Sequence, residues 1–334
     1  MTAPIQNVSV IGAGAWGTAL AQLAATARRT VTLYARDAGL AETIMKDREN
    51  TTYLPGITLM EDITVTAHVR AAVKNADLVL FVTPLQYMRG MLSEIAPHLP
   101  PGVPIIGCSK GIEIATGLLP AGVVGEVAPG HPYGALSGPT FADEAAAGLP
   151  SAITLATIDP AGKDWAQALG SQTFRPYLSD DVIGTEVGGA LKNVIAIACG
   201  VAEGMDLGRN ARAALTTRGM AEIRRFGTAR GAKVETFLGL SGIGDLMLTC
   251  NSISSRNFAL GVALGQGQTV AEYQTGRRTV AEGAATARAV AELAEKNNID
   301  MPICRVVDAI LQGGLSADAA MRTLLSREIR SEGE

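Results

Sequence analysis

The chain has 334 residues, 47% of them hydrophobic, and carries 28 basic against 32 acidic side chains with only 4% aromatics. That balance lacks the basic surface and stacking residues of a nucleic-acid platform, and the length suits about two domains with separate cores. Cys108, Cys199, Cys250 and Cys304 are scattered with no Cys-x-x-Cys pair, which points to reduced thiols in a cytoplasmic protein rather than a disulfide framework or a metal site.

The first 27 residues carry no charge. A secretory leader would need a basic segment ahead of its apolar run, and none precedes Arg28. A spanning helix would need about 20 predominantly apolar residues, whereas Gly12, Gly14, Gly17, Gln6, Asn7, Thr18 and Gln22 break the stretch. No integral membrane segment is expected here. What remains is a β-rich run over 8–11, a glycine turn, and Trp16, Leu20, Leu23, Ala24 and Ala27 at helical spacing. Gly12, Gly14 and Gly17 spell G-x-G-x-x-G between strand and helix, with Ala15 and Trp16 opening the helix. In a dinucleotide fingerprint the first glycine permits the tight turn, the second admits a pyrophosphate, and the third lets helix pack on strand. The plainer alternative is an ordinary strand-to-helix connection.

The next strand, 31–35, ends at Arg36 and Asp37, about where such a fold meets the adenosine ribose. An Arg pairs with a 2′-phosphate or stacks on adenine, so the reading favours NADPH, with NADH the alternative. Buried strands are predicted in 76–84, 103–111, 133–141 and 151–157, separated by helix-forming segments. Alternating strands and helices make a doubly wound, mostly parallel α/β sheet of the Rossmann type. Beyond about residue 180 strand signals cease and apolar helical patterns take over. The expected division is 1–180 for the dinucleotide-binding domain and 181–334 for an all-α substrate domain.

Several polar residues fall where a bland account is awkward. Lys110 follows an apolar strand, either as a surface lysine or on the rim of the cofactor crevice. Lys192 and Asn193 interrupt the otherwise apolar "GGALKNVIAIACGVAEG". A lysine there either snorkels to the surface or points into a polar cleft. Asp245 is the only charge between Glu235 and Arg256. Ser254, Ser255, Arg256 and Asn257 cluster at a helix start, where they form either an ordinary N-cap with a surface Arg or a receptor for a phosphate monoester.

The set "GAGAWGTAL", "CSKGIE", "LSGPTFA", "ALKNVIAIACG", "GLSGIGDLMLTC", "SSRNFALG" and "VAEG" closely resembles the bacterial NAD(P)-dependent glycerol-3-phosphate dehydrogenase family, in that family's order and over nearly the whole chain. One departure is Ala15, where the family usually has Ser. The resemblance implies reduction of dihydroxyacetone phosphate to sn-glycerol 3-phosphate, the backbone precursor of phospholipids, by a homodimer that uses NADPH or NADH and no metal. It assigns proton donation and acceptance to Lys192, with Lys110 and Asp245 in the catalytic set. Substrate contacts carry over to Lys110, Gly138, Thr140, Lys192, Asn193, Asp245, Ser255, Arg256 and Asn257. Cofactor contacts carry over to Gly12, Gly14, Ala15, Trp16, Gly17, Arg36, Lys110, Ala142, Arg256, Val280 and Glu282. Without the resemblance, Val280 and Glu282 read only as the opening of a surface helix.

The chemistry suits these residues. Ketone reduction leaves an alkoxide that needs a proton, and His68, His98 and His131 lie in no suitable setting. Lys192 can donate as the ammonium, and partial burial beside Lys110 would lower its pKa enough to let it accept in the reverse direction. Arg256 would select the phosphorylated ketone through paired hydrogen bonds. Other readings are a related 3-hydroxyacid or ketopantoate reductase, a nicotinamide-binding sensor without turnover, and a structural helical partner domain.

Overall fold

A computed structural model describes residues 4–275, 281–328 and 331. Eight strands form one sheet: β1 (Asn7–Ile11), β2 (Thr30–Tyr34), β3 (Ile63–Thr66), β4 (Leu78–Phe81), β5 (Ile105–Gly107), β6 (Tyr133–Ser137), β7 (Ser151–Ala156) and β8 (Phe174–Ser179). Their order is β3-β2-β1-β4-β5-β6-β7-β8. All neighbours are parallel except β6 and β7, so β7 and β8 run against the rest. Chain order reverses between β1 and β4, the switch point beyond whose carboxyl ends ligands of doubly wound sheets bind.

Side-chain alternation sorts the strands onto two cores. Val8, Val10, Val31, Leu33, Leu78, Leu80 and Ile106 enter one, while Ile11, Tyr34, Val79, Phe81 and Ile105 enter the other. Burial on both faces explains why these strands read as continuous apolar runs. The sequence reading missed β3, β8 and a small hairpin of Glu49–Asn50 with Leu54–Thr58. That hairpin has a purpose at the crevice. Its fully buried Asn50 donates from Nδ2 to the Ala13 carbonyl (2.9 Å) and Thr18 Oγ1 (2.8 Å), pinning the glycine turn.

The chain then enters a 23-residue central helix, Val182–Gly204, capped by Asp181, whose Oδ1 accepts from Gly184 N. By length and apolarity this helix could cross a membrane, but 89% of its most apolar window is buried inside the protein. It is the core of the helical half. Glu186 joins it to the sheet, accepting from the Tyr133 hydroxyl (2.6 Å) and Ala121 N (2.9 Å). Burial pushes this carboxyl up to about 8.

The helix Arg256–Gly265 crosses the central helix with almost no side chain between them. A Cβ at Gly200 would lie 2.1 Å from the Phe258 carbonyl oxygen, one at Gly261 2.1 Å from that of Ile197, and one at Gly265 2.4 Å from that of Val201. Only hydrogen fits at these positions. The backbone contact fixes where Arg256 and Asn257 begin relative to Lys192 and Asn193.

Candidate active site

The glycine turn has the geometry its spacing predicts. Gly12 has φ +121°, and a Cβ there would press to 3.2 Å against the Val82 backbone. At Gly17 a Cβ would sit 1.7 Å from the Gly12 carbonyl oxygen, whereas around Gly14 nothing lies within 4 Å. The turn is therefore closed where helix meets strand and open where an anion would approach. No side chain caps the helix Ala15–Thr26 and no acid occupies its first turn, so its leading N–H groups, with half-buried Ala15 and Trp16 beside them, suit a pyrophosphate. Asp37 caps the next helix by accepting from Leu40 N (2.9 Å). Arg36 stays exposed beyond the end of β2.

Three segments far apart in sequence meet at Asp245. Lys110 follows β5 on a loop whose Gly111, at φ +130°, packs against Thr286 of the helix Glu282–Lys296. Its Nζ donates to Asp245 Oδ2 (2.8 Å). Lys192, 7% exposed, donates from Nζ to Asp245 Oδ1 and to Thr249 Oγ1 (3.0 Å). Lys192 therefore does not snorkel to the surface; its ammonium is turned inward onto polar partners. Asp245 opens a short helix, Asp245–Cys250, after the kinked 240–244 segment. There Gly242 lies so close to Phe237 that a Cβ would reach 2.2 Å from its carbonyl oxygen.

Asp245 has no exposed surface. Burial opposes its ionisation, but the two ammonium groups outweigh burial and hold its carboxyl below the usual range. They share it unequally. Burial, and secondarily the charge of Lys110, bring Lys192 down to about 7 against the pull of Asp245. Lys110 is also desolvated, yet Asp245 outweighs that and raises it. Two lysines on one carboxylate thus have protonation equilibria pushed apart, the pattern that separates a titrating group from a fixed charge.

Around this centre the other sequence-predicted residues gather in part. Ser255 caps the helix Arg256–Gly265 by accepting from Phe258 N (3.3 Å), so its hydroxyl already serves as an ordinary N-cap. Arg256 is exposed and Asn257 buried. Asn257 Oδ1 accepts from Gly283 N (3.0 Å), and a Cβ at Gly283 would reach 2.9 Å from the Asn193 carbonyl oxygen, so these three residues are neighbours. Glu282 lies within electrostatic reach of Arg256, Lys110 and Lys192, while Val280 lies outside the described residues. Gly138 packs on Ile153, where a Cβ would come to 3.0 Å of its Cα, and a Cβ at Gly244 would lie 3.5 Å from the Pro139 ring. The buried Thr140 and Ser137 hydroxyls lack a hydrogen-bond partner. Ala142 begins the short helix Ala142–Ala146.

Sequence reasoning missed Thr249, Ser137 and Asn50. For Thr249 the signal was present: it lies four residues after Asp245, on the same helical face. Among the described residues no cluster of three or more His, Cys, Asp or Glu is placed to hold a metal.

The pattern of the NAD-dependent glycerol-3-phosphate dehydrogenase N-terminus matches residues 7–162, and that of the C-terminus of the same enzymes matches residues 181–322. The chain belongs to the NAD-dependent glycerol-3-phosphate dehydrogenase family. It is 50% identical over 333 residues to the glycerol-3-phosphate dehydrogenase [NAD(P)+] of Parvibaculum lavamentivorans, covering 99% of this chain and 100% of that one. The Caulobacter vibrioides enzyme of the same description is 50% identical over 328 residues, covering 98% and 99%. The crystal structure of glycerol-3-phosphate dehydrogenase from Coxiella burnetii superposes with a TM-score of 0.93 at 35% identity, over 97% of this chain and 99% of that one. A ketopantoate reductase from Ralstonia eutropha, at 16% identity and a TM-score of 0.61, shares the fold alone. Within the glycerol-3-phosphate dehydrogenase family the cofactor is NAD(H) or NADP(H), and the glycine turn and uncapped helix fit either.

Proposed function

We propose that this protein reversibly reduces dihydroxyacetone phosphate to sn-glycerol 3-phosphate with NADPH or NADH, supplying the glycerol phosphate backbone for phospholipid synthesis. The observation that carries the reading is the convergence of Lys110, Lys192 and Thr249 on buried Asp245, with Arg256 and Asn257 alongside. The proposed division is 1–180 for nucleotide binding and 181–334 for substrate. The family resemblance also supports a homodimer acting in the cytoplasm.

Gly12, Gly14, Ala15, Trp16, Gly17 and Arg36 would hold a reduced nicotinamide nucleotide, which would supply the hydride when bound. The ketone oxygen becomes an alkoxide, which Lys192 protonates; a positioned acid of this kind is worth roughly 10²–10⁴ in rate. Asp245 and Thr249 hold the Lys192 ammonium in place, and Thr249 also donates to the Asp245 carbonyl (2.6 Å). Lys110 keeps its charge and favours the developing anion. Arg256 and Asn257, at a helix N-terminus, take the phosphate. In the reverse direction neutral Lys192 removes the hydroxyl proton.

The test follows loss of reduced nicotinamide absorbance with NADPH and then NADH on adding dihydroxyacetone phosphate, with dihydroxyacetone and 2-ketopantoate as controls. Rapid loss with the phosphorylated ketone alone is expected. Turnover of 2-ketopantoate, or of no ketone despite nucleotide binding, would overturn the assignment.

A further inference from the structure

Lys110 reaches Asp245 from a stretch that has no helix or strand between Gly107 and Pro120. Such a stretch holds a side chain in place only where neighbours lock its main chain. Ahead of Lys110, Ser109 Oγ donates to the Thr83 carbonyl (2.5 Å), just past β4. Behind it, the ties come from the helix Leu85–Ile95, which follows β4. Gln86, exposed in the first turn of that helix, donates from Nε2 to the Ile112 carbonyl (2.8 Å). It also accepts at Oε1 from Ile114 N (3.2 Å). One amide side chain thus pairs with the loop on both sides of residue 113, as the main chain of an adjacent strand would. One turn on, Arg89 donates from Nε and Nη2 to the buried Glu113 carboxylate (2.9 to 3.2 Å), which also accepts from Thr116 Oγ1 (2.5 Å).

These bonds serve the loop rather than the helix that supplies them. The helix packs through Leu85, Met88, Leu92 and Ile95, and Gln86 lies outside that buried face. The glycine turn has its own fastening in Asn50, so the nucleotide side of the crevice does not depend on Gln86.

We propose that Gln86 is a positioning residue for Lys110: its amide brackets the main chain at Ile112 and Ile114, Arg89 anchors Glu113 between them, and Lys110 is thereby kept on Asp245. The proposal rests on the dehydrogenase reading, in which Lys110 is the fixed charge beside Lys192. Asp245, Lys110, Glu282 and the Cys250 thiol are the titratable groups in electrostatic contact with Lys192. Of these, Lys110 alone rides on the bracketed loop. Once the bracket is cut, Lys110 withdraws, its repulsion of Lys192 weakens, and Asp245 attends to Lys192 alone. Both changes favour the protonated Lys192, so the inflection of glycerol phosphate oxidation must move upward from about 7.

The test compares Gln86→Ala and Gln86→Glu with Lys110→Gln and with the Gln86→Ala, Lys110→Gln double variant. Gln86→Glu keeps the length of the side chain and the acceptor for Ile114 N, but sets a carboxylate oxygen against the Ile112 carbonyl, so it separates lost bonds from lost bulk. In both Gln86 variants kcat for ketone reduction should fall about fivefold or more, with nucleotide Kd within about twofold of wild type. The oxidation inflection should rise, as it should in Lys110→Gln, and the double variant should be no slower than Lys110→Gln alone. A second readout needs no substrate. Amines acylate as the free base, and Lys110 away from Asp245 loses the partner that raises it. A pulse of acetic anhydride, read by peptide mass, should label Lys110 about threefold faster or more in the Gln86 variants, with the thermal melt unchanged. Unchanged labelling, an unmoved inflection, or a double variant slowed by the product of the two single effects would each overturn the assignment. So would a lowered melt with nucleotide binding lost in both Gln86 variants. A wild type that turns over no ketone would sink the dehydrogenase reading, whereas the labelling would still decide whether Gln86 holds Lys110.

Discussion

Replacing Asp245 by Asn removes the one negative charge between two ammonium groups while keeping the size of the side chain. Breaking a buried ion pair typically costs about 3–5 kcal/mol, because the partner is left uncompensated. Here two partners are left, but they respond differently. Lys192 sits at about 7 with Asp245 present; without the carboxylate it falls further and escapes by losing its proton. Lys110, raised by Asp245, keeps its charge, has an exposed side-chain fraction of 20%, and can hydrate. The stability loss at pH 8 should therefore lie near the lower figure, about 3 kcal/mol. Near pH 6 the wild type gains a proton on Lys192 that the variant does not, while both unfolded chains are protonated. The deficit should then grow by about 1 kcal/mol, since one pKa unit corresponds to 1.36 kcal/mol. Ketone reduction should fall by roughly 10²–10⁴, because the acid is neutral and no longer oriented. Thermal melts at pH 6 and 8, with nicotinamide absorbance kinetics at pH 7, measure both effects. Reduction within tenfold of wild type, or a deficit no larger at pH 6 than at pH 8, would refute the division of labour between the lysines.

The same reasoning sets the pH response of the unmodified protein: kcat/KM for glycerol phosphate oxidation should rise through an inflection near 7 as Lys192 loses its proton, while that for reduction declines over the same interval. Flat profiles in both directions would remove Lys192 as the titrating group. Arg256→Ala should raise KM for dihydroxyacetone phosphate at least tenfold, in keeping with about 1.5–3 kcal/mol per charge-assisted hydrogen bond, with the melt unchanged; steady-state kinetics that leave KM in place would move the phosphate elsewhere. In Gly17→Ala the new methyl would fall 1.7 Å from the Gly12 carbonyl oxygen. Helix and strand must part, and fluorescence titration should show nucleotide Kd weakened more than tenfold. Binding within twofold of wild type would contradict the close-packing role. Arg36→Ala should raise KM for NADPH about tenfold and leave NADH nearly unaffected, and equal changes for both nucleotides would remove Arg36 from the ribose phosphate.

What could be read from the chain was what local pattern encodes. The turn at Gly12, Gly14 and Gly17 declares itself because strand period, glycine spacing and helical period follow one another within twenty residues. Lys192 stands out because a lysine in an apolar helix needs a partner. Partners themselves are not local: Lys110 and Asp245 are 135 positions apart, and no periodicity joins them. Strand β8 went unread because "FRPYLS" includes Pro176, which suits an edge strand and otherwise suggests a loop. Thr249 was hidden for a different reason. A threonine among apolar neighbours looks ordinary until its hydroxyl is found on an ammonium group. Arg36 and Asp37 carried opposite messages about the ribose; in the structure Asp37 Oδ1 caps the next helix and Arg36 is exposed.

The crossing of the central helix with Arg256–Gly265 makes the spacing of their polar residues a gauge set by hydrogen atoms. Side-chain packing has some compliance, since rotamers shift and gaps redistribute, but a carbonyl oxygen resting on a glycine Cα has none. The separation of Lys192 from Arg256 is thereby tied to main-chain geometry. That spacing is then set by four positions, Gly200, Gly204, Gly261 and Gly265, rather than by side chains that could repack.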